Sequence, residues 1–371
     1  MKNIKTIIVL YPSFDRGGAT KNLINFINEC ASKNIKIYLV SNIDKKQKKR
    51  IFNKDIKIVN FFGHSQNIFL RRFFTSFFSI FSLIKLFNRI NHKESIVISF
   101  QSHILPIIFC RLFQRKIVIR NSEDVIDATK YADKKFSAYL IFVLKVLIYN
   151  FSNGIITNSS KSKSSLDSII FKKRSILIYN PYLRKIVKSK KRIVKNYILS
   201  VGRFCKQKNQ IISIKAFALF LKEFPNYKLI MIGHGQDELK LKKICRNLNI
   251  SKNVIFKRWI NDPKKFYIKS KILIFPSLYE GLPNTLIDAV NHNLPCISSQ
   301  CSGAIDILTK KKGIFLTNKK DFNQLSKKMI YVIRNYRKVT KDTVVIKRKL
   351  DRFLIKSQVQ KYLDYIKSIM K

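Results

Sequence analysis

The sequence has 371 residues, with 74 Lys+Arg against 21 Asp+Glu, a formal net charge of +53, and 46% hydrophobic residues. That apolar content excludes a disordered polybasic chain, and ten Gly with eight Pro exclude collagen-like and low-complexity classes. At this length two domains are expected rather than one.

Short apolar runs alternate with longer helical patterns. Residues 7–11 follow Lys2 and Lys5 and are too few for the core of a signal peptide, so they read as a first strand. Gly17 and Gly18 follow in a loop, then a helix over 22–32 and a strand over 35–40. Further strands are expected at 96–100, 116–120, 154–157 and 175–178. This βα alternation implies a parallel sheet flanked by helices.

Residues 183–196 are basic and carry no clear period, so they read as a linker between domains 1–182 and 197–371. A second series follows, with strands at 197–201, 228–232, 254–256, 272–275 and 296–298. Its helices are expected at 211–224, 237–248 and 284–291, and a helix near 350–370 closes the chain within the second domain. The fold class is α/β: two Rossmann-like, doubly wound domains facing across a cleft. Ligands of such sheets bind outside the carboxyl ends of the strands.

The cysteines, at 30, 110, 205, 245, 296 and 301, form no C-x-x-C pair. They read as buried thiols in a reducing compartment rather than as a metal or disulfide framework. The five histidines show no metal-ligand spacing, and no metal or other cofactor is expected. No apolar run reaches the ~18 residues of a spanning helix. The best candidate, 139–151, is interrupted by Lys145. A cytoplasmic protein is expected.

The charge favours anionic partners. Use of Lys, Ile and Asn also fits an AT-rich genome, although the scarcity of acids follows less readily from that. Runs such as Lys45 to Arg50 and Lys188 to Arg192 read as solvated loops. No RNA-recognition, helix-turn-helix or zinc-finger signature is present, so no specific nucleic-acid partner is expected.

Four segments carry candidate chemistry. In residues 200–209, Gly202 permits an unusual turn, and Arg203 and Lys208 can converge on a phosphate. In residues 276–289, Glu280 and Asp288 frame a Gly281-Leu282-Pro283 turn that opens a helix. Free N–H groups near Asn284 and Thr285 would make an anion site favoured by the helix dipole. Gly233-His234-Gly235 reads either as close approach to a ligand or as an ordinary tight turn. Gly17-Gly18 can cradle a diphosphate but is not the dinucleotide fingerprint.

The order of these pieces resembles the family-4 retaining glycosyltransferases of the GT-B fold. The resemblance is carried by SVGRFCKQKN, LIMIGHGQDELKLKKI, VIFKRWIND and PSLYEGLPNTLIDAVNHNLPCISS, with DRGGATKNLINFINECASKNIKIYLVS and ILIYNP in the first half. The family's E-x7-E element is here E-x7-D, with Asp288 replacing the second Glu, and Arg258 stands where many members have Gly. The resemblance implies that Arg203 and Lys208 hold and stabilise the departing diphosphate, and that Glu280 contacts the donor sugar and phosphates. It implies that Asp288 binds the ribose and that Gly281 to Thr285 line the sugar and phosphates. Trp259 and Ile260 would lie at the nucleobase, and Gly17 and Gly18 near the diphosphate and acceptor. A histidine often found in the family's first domain has no clear counterpart; His103, Asn121 and Glu123 are the candidates.

The resemblance further implies metal-independent transfer from a nucleotide sugar, by family habit a UDP-sugar, with retention at the anomeric carbon. The departing charge would be met by cations and helix N–H groups. Residues 69–90 place Phe73, Phe77, Ile80, Phe81, Ile84 and Phe87 at helical spacing beside Arg71, Arg72, Lys85 and Arg89. Such a helix fits either the domain core or an anionic membrane interface. The expected acceptor is a lipid-linked or lipopolysaccharide- or capsule-type glycan, met at the inner face of the cell membrane. Two other readings stay open: an inactive membrane-bound scaffold, and a nucleic-acid binder using charge alone.

Overall fold

Strands rich in Ile, Val and Leu, apolar on both faces, belong in parallel sheets covered by helices on each side. A computed structural model describes residues 4–14, 17–43, 51–52, 56–60, 68–171, 175–188, 192, 194–258, 260 and 262–371, with the side chains of 68–73 outside the description. The Lys45 to Arg50 run and Trp259 lie outside the described residues. The chain divides into two units, residues 1–184 with 352–371, and residues 185–351.

The first unit holds β1 (Thr6–Ser13), β2 (Lys36–Asn42), β3 (Ile56–Val59), β4 (Ser95–Ser99), β5 (Ile117–Asn121), β6 (Gly154–Thr157) and β7 (Ser175–Leu177). They form a parallel sheet in the order β3-β2-β1-β4-β5-β6-β7. Its helices are α1 (Gly18–Ala31), α2 (Ile68–Phe87), α3 (Ile104–Leu112), α4 (Val125–Lys130), α5 (Lys135–Ile148) and α6 (Ser160–Asp167). The second unit holds β8 (Tyr197–Val201), β9 (Lys228–Ile232), β10 (Val254–Lys257), β11 (Ile272–Phe275), β12 (Cys296–Ser299) and β13 (Ile314–Leu316). These form a parallel sheet in the order β10-β9-β8-β11-β12-β13. Its helices are α7 (Gln210–Leu221), α8 (Glu238–Asn247), α9 (Lys264–Lys269), α10 (Asn284–Asn291), α11 (Ser302–Leu308), α12 (Phe322–Arg334) and α13 (Tyr336–Lys347). The order reverses between β1 and β4, and again between β8 and β11. Each reversal makes a switch point, where the loops leaving two paired strands diverge.

The closing helix α14 (Ile355–Met370) corrects the expected domain division. It belongs to the first unit, not to the second. Its stripe of Val359, Tyr362, Leu363, Ile366 and Met370 is buried in one core with Ile7, Phe26, Ile98, Phe100 and Ile156. Tyr362 packs on Phe26 with ring centroids 5.1 Å apart, and its hydroxyl accepts from Arg120 Nε at 3.0 Å. The Ile355 N–H donates to the Leu183 carbonyl at 2.9 Å, which anchors the start of the helix.

The stretch expected as a linker is likewise tied down. From residue 185 it belongs to the second unit. Arg192 donates to the carbonyls of Ile268, Asn293 and Tyr267 at 3.1, 2.6 and 2.9 Å. Val187 N–H donates to Asn291 Oδ1 at 3.0 Å.

The apolar positions of α2 divide between two faces. Ile80, Leu83, Leu86 and Phe87 are buried in the first unit's core, whereas Phe74, Phe77, Phe78 and Phe81 are exposed. Neither expected role for this helix accounts for all of its apolar side chains. Five of the cysteines are buried and Cys205 is half-buried.

Candidate active site

In the second unit, β8 and β11 are hydrogen-bonded neighbours, so the loops leaving their carboxyl ends emerge side by side. The first loop carries Gly202 to Asn209, and the second carries Pro276 to Pro283. Lys208 Nζ is ion-paired with Glu280 Oε1, their side chains only 17% and 11% exposed. The same ammonium lies 5.2 Å from the Phe275 ring centroid. Burial weakens water's screening, so this pair interacts more strongly than an exposed one.

Several hydrogen bonds hold the two loops in register. Leu278 N–H donates to the Gln207 carbonyl at 2.8 Å, and Gln207 Nε2 donates to the Tyr279 carbonyl at 3.0 Å. Asn209 adopts the left-handed conformation, φ 54°, which ends the short turn over Lys206–Lys208. Its Nδ2 donates to the carbonyls of Pro276 and Lys319 at 3.2 and 2.7 Å. Asparagine tolerates this conformation better than most residues. Arg203 is exposed, with a guanidinium nitrogen 3.5 Å from Gln207 Oε1. Gln207 and Asn209 position the loops and were not singled out from the sequence.

Gly233 meets a close approach, but from the chain itself. A Cβ there would lie 2.0 Å from the Gly202 carbonyl oxygen. The neighbouring Phe204 N–H donates to the His234 carbonyl at 2.9 Å, lacing the two turns together. Gly303, in α11, plays a similar part and was missed. Its N–H donates to the Gly281 carbonyl at 2.7 Å, and a Cβ there would lie 2.4 Å from that oxygen. No local pattern signals it, because the approaching backbone is 22 residues away in sequence.

Gly281, Leu282 and Pro283 are buried, and Asn284 and Thr285 open α10 half-buried. Pro283 caps the helix without a side-chain hydrogen bond. Asp288 lies beyond the first turn of α10, which carries no acid, so it is not simply complementing the helix dipole. Tyr267 is buried against this helix, its hydroxyl bonded to Thr285; burial foremost, then Asp288 and Cys296, push its pKa well above the usual phenol value. Ile260 is half-buried just after β10. The structure thus brings Gly202, Arg203, Lys208, Glu280 and the 281–285 turn together where β8 and β11 end. Gly233 supports Gly202 from the neighbouring strand.

The first-unit candidates sit at the ends of their own sheet. Gly17, four residues beyond the end of β1, precedes α1, and Gly18 is the first residue of that helix. His103 precedes α3, with Nδ1 2.9 Å from Ser99 Oγ and its ring edge-on to Tyr149. Burial, then the charges of Lys145 and Arg120, lower its pKa to about 3, so the imidazole is neutral near pH 7. Asn121 ends β5 and donates to the Glu123 carbonyl at 2.6 Å. Glu123 pairs with Lys145 at 3.3 Å. Glu123 thus joins Asn121 to Lys145, whose charge also acts on His103.

Comparisons with known proteins follow the same outline. A sequence model of the family described as "Glycosyl transferases group 1" matches residues 184–369, half of the chain. An uncharacterized glycosyltransferase of Methanocaldococcus jannaschii, MJ1059, is 31% identical over 198 residues, covering 50% of this chain and 48% of that protein. The capsular polysaccharide biosynthesis glycosyltransferase CapH of Staphylococcus aureus is 32% identical over 161 residues, covering 42% of this chain and 45% of CapH. Each match therefore spans about half the relative's length or less. HepE of Anabaena, solved in complex with UDP and glucose, superposes with a TM-score of 0.78 at 15% identity, over 98% of this chain and 100% of that one. At that identity the likeness is one of fold, the GT-B architecture.

Proposed function

The chain belongs to the glycosyl transferases group 1 family, and from that premise we propose that it moves a sugar from a nucleotide-sugar donor to a lipid-linked, lipopolysaccharide-type or capsule-type glycan. The observation that carries this reading is the Lys208–Glu280 pair, held with Arg203 at the adjoining carboxyl ends of β8 and β11. A departing nucleoside diphosphate gathers negative charge as the anomeric C–O bond breaks. A half-buried ammonium, a guanidinium and the N-terminus of α10 are aimed where that charge would collect. UDP in the HepE complex supports a UDP-sugar as the donor, and the named role of CapH supports a surface polysaccharide as the product.

In this reading Arg203 and Lys208 hold the diphosphate, and Glu280 orients Lys208 and the donor sugar. Asp288 takes the ribose hydroxyls, one methylene shorter than glutamate, and Ile260 lies against the base. Gly17, Gly18, His103, Asn121 and Glu123 belong to the first unit, the half that would serve the acceptor. The acceptor hydroxyl attacks the anomeric carbon from the face the diphosphate leaves. The new C–O bond forms as the old one breaks, and a donor phosphate oxygen takes the hydroxyl proton. No metal takes part, and configuration is retained. The enzyme works at the inner face of the cell membrane, where lipid-linked acceptors are assembled.

The test is turnover of a panel of UDP-, GDP- and ADP-sugars with a polyprenyl-diphosphate-linked acceptor, in the presence of EDTA. Release of one nucleoside diphosphate is expected, with a product whose anomeric coupling constant matches the donor's configuration. No turnover of any donor would overturn the reading. An inverted product or loss of activity in EDTA would overturn its stereochemical or metal-free part.

A further inference from the structure

We propose that the outer face of α2, α3 and α5 is a docking surface for an anionic lipid bilayer. The proposal deepens the reading above and rests on it for the location of the acceptor.

The three helices are neighbours on the first unit. Ser76 and Ser102 hydroxyls meet at 2.7 Å, and eleven residues further along both segments Phe87 and Phe113 rings meet at 5.6 Å. The α2 and α3 segments therefore run side by side in one direction, and α3 also packs against α5. Their outward residues are large and apolar. On α2, Phe77 and Phe81 form an edge-on pair at 5.3 Å, and Phe81 is 51% exposed. Leu112 at the end of α3 is 71% exposed. On α5, Phe136 is 83%, Tyr139 62% and Leu140 51% exposed.

Helix α5 is the most telling of the three. Its sequence KFSAYLIFVLKVLI is apolar nearly all round, yet none of its residues is fully buried. A helix hydrophobic all round ordinarily lies inside a protein or in lipid. So many exposed large apolar side chains on adjoining helices exceed the scattered single ones usual on a monomer.

Charge selects the occupant. The three helices carry Arg71, Arg72, Lys85, Arg111, Lys135 and Lys145, and no Asp or Glu. Lys85, Arg111 and Lys135 are exposed. Exposed aromatic and aliphatic side chains beside the exposed Lys85, Arg111 and Lys135, on helices that themselves carry no acid, match the headgroup boundary of an anionic bilayer. A protein partner of ordinary composition would call for mixed charge at the rim. Among the described residues no helix is long and apolar enough to cross a membrane, so contact is with the surface of the bilayer.

The experiment is flotation of the full chain with phosphatidylglycerol-containing vesicles and with phosphatidylcholine vesicles. The variants are F136D/L140D on α5, F81D on α2, and L239D as a control, Leu239 being 81% exposed on α8 of the other unit. Thermal unfolding first shows that each variant is folded, and UDP binding is measured on the same samples. Wild type and L239D should float with the anionic vesicles. Partition of F136D/L140D and of F81D should fall by about tenfold or more, with UDP binding unchanged. The surface is overturned if wild type stays unbound, if the folded α2 and α5 variants float like wild type, or if this face instead mediates self-association without lipid binding. Flotation without UDP binding would count against the donor site alone.

Discussion

Replacing Lys208 with Met should slow glycosyl transfer by about 10²–10³-fold, the usual consequence of removing one pre-aimed donor from a developing oxyanion. Met nearly matches the length of the lysine stem, so the loop loses the charge, and with it the ammonium's contact with the Phe275 ring, rather than the bulk of its packing. The effect should fall mainly on kcat. The ammonium interacts most strongly with charge that exists fully only as the diphosphate departs. Glu280 would then lack its cation in a setting where its side chain is only 11% exposed, and its orientation toward the donor would relax. K208R should recover part of the rate, since it restores the charge with a different geometry. Steady-state kinetics with the preferred donor supply the check. A K208M rate within a few-fold of wild type would show that the pair is structural.

Deleting residues 355–371 should unfold the first unit and spare the second. The deletion removes Ile355, Val359, Tyr362, Leu363, Ile366 and Met370 from the core they share with β1, α1 and β4. At about 1.5–3 kcal/mol for each such side chain, the loss is roughly 9–18 kcal/mol. That equals or exceeds the ~5–15 kcal/mol by which domains are stable. It also leaves Arg120, 1% exposed, without the Tyr362 hydroxyl that it donates to. The second unit's core draws on residues 198 to 339, so it loses nothing from this deletion. Hydrogen exchange distinguishes the units. Amides of 7–10 and 96–99 should lose protection while those of 198–201 and 229–232 keep it. The opposite pattern would return the helix to the second domain.

These two predictions differ in how much of their basis could be read from the sequence. The inner strands were legible because runs such as Ile272–Phe275 are continuous, β-branched and bounded by turn residues. Two edge strands, Ile56–Val59 and Ile314–Leu316, are not among those expected; they are short and only partly buried, so their apolar signal is weaker than that of the inner strands. The closing helix was legible as a helix, but its partner was not. An apolar stripe says that a face is buried, not against what, and here the chain returns to the sheet it began with.

The site was legible in the same uneven way. The Gly202–Lys208 loop and the Glu280–Pro283 turn stand out between an apolar strand and a helix. The pairing of Lys208 with Glu280 spans 72 residues, and only the adjacency of β8 and β11 brings it about. Gln207, Asn209 and Gly303 act through backbone carbonyls of distant loops, for which a sequence carries no local mark. The α5 segment stands out in the sequence only as an apolar run, 139–151, too short and too interrupted by Lys145 to span a membrane. Only the packing reveals that none of the helix is fully buried and that Phe136, Tyr139 and Leu140 face solvent.

The most direct test is calorimetric titration of the full chain with UDP, GDP and ADP, repeated on the Arg203→Ala variant. Saturable binding of one diphosphate, weakened by about tenfold or more in the variant, is expected if the exposed guanidinium and Lys208 together form the diphosphate cradle. Absence of saturable binding to any of the three, or equal affinity in wild type and variant, would contradict a donor site at the ends of β8 and β11.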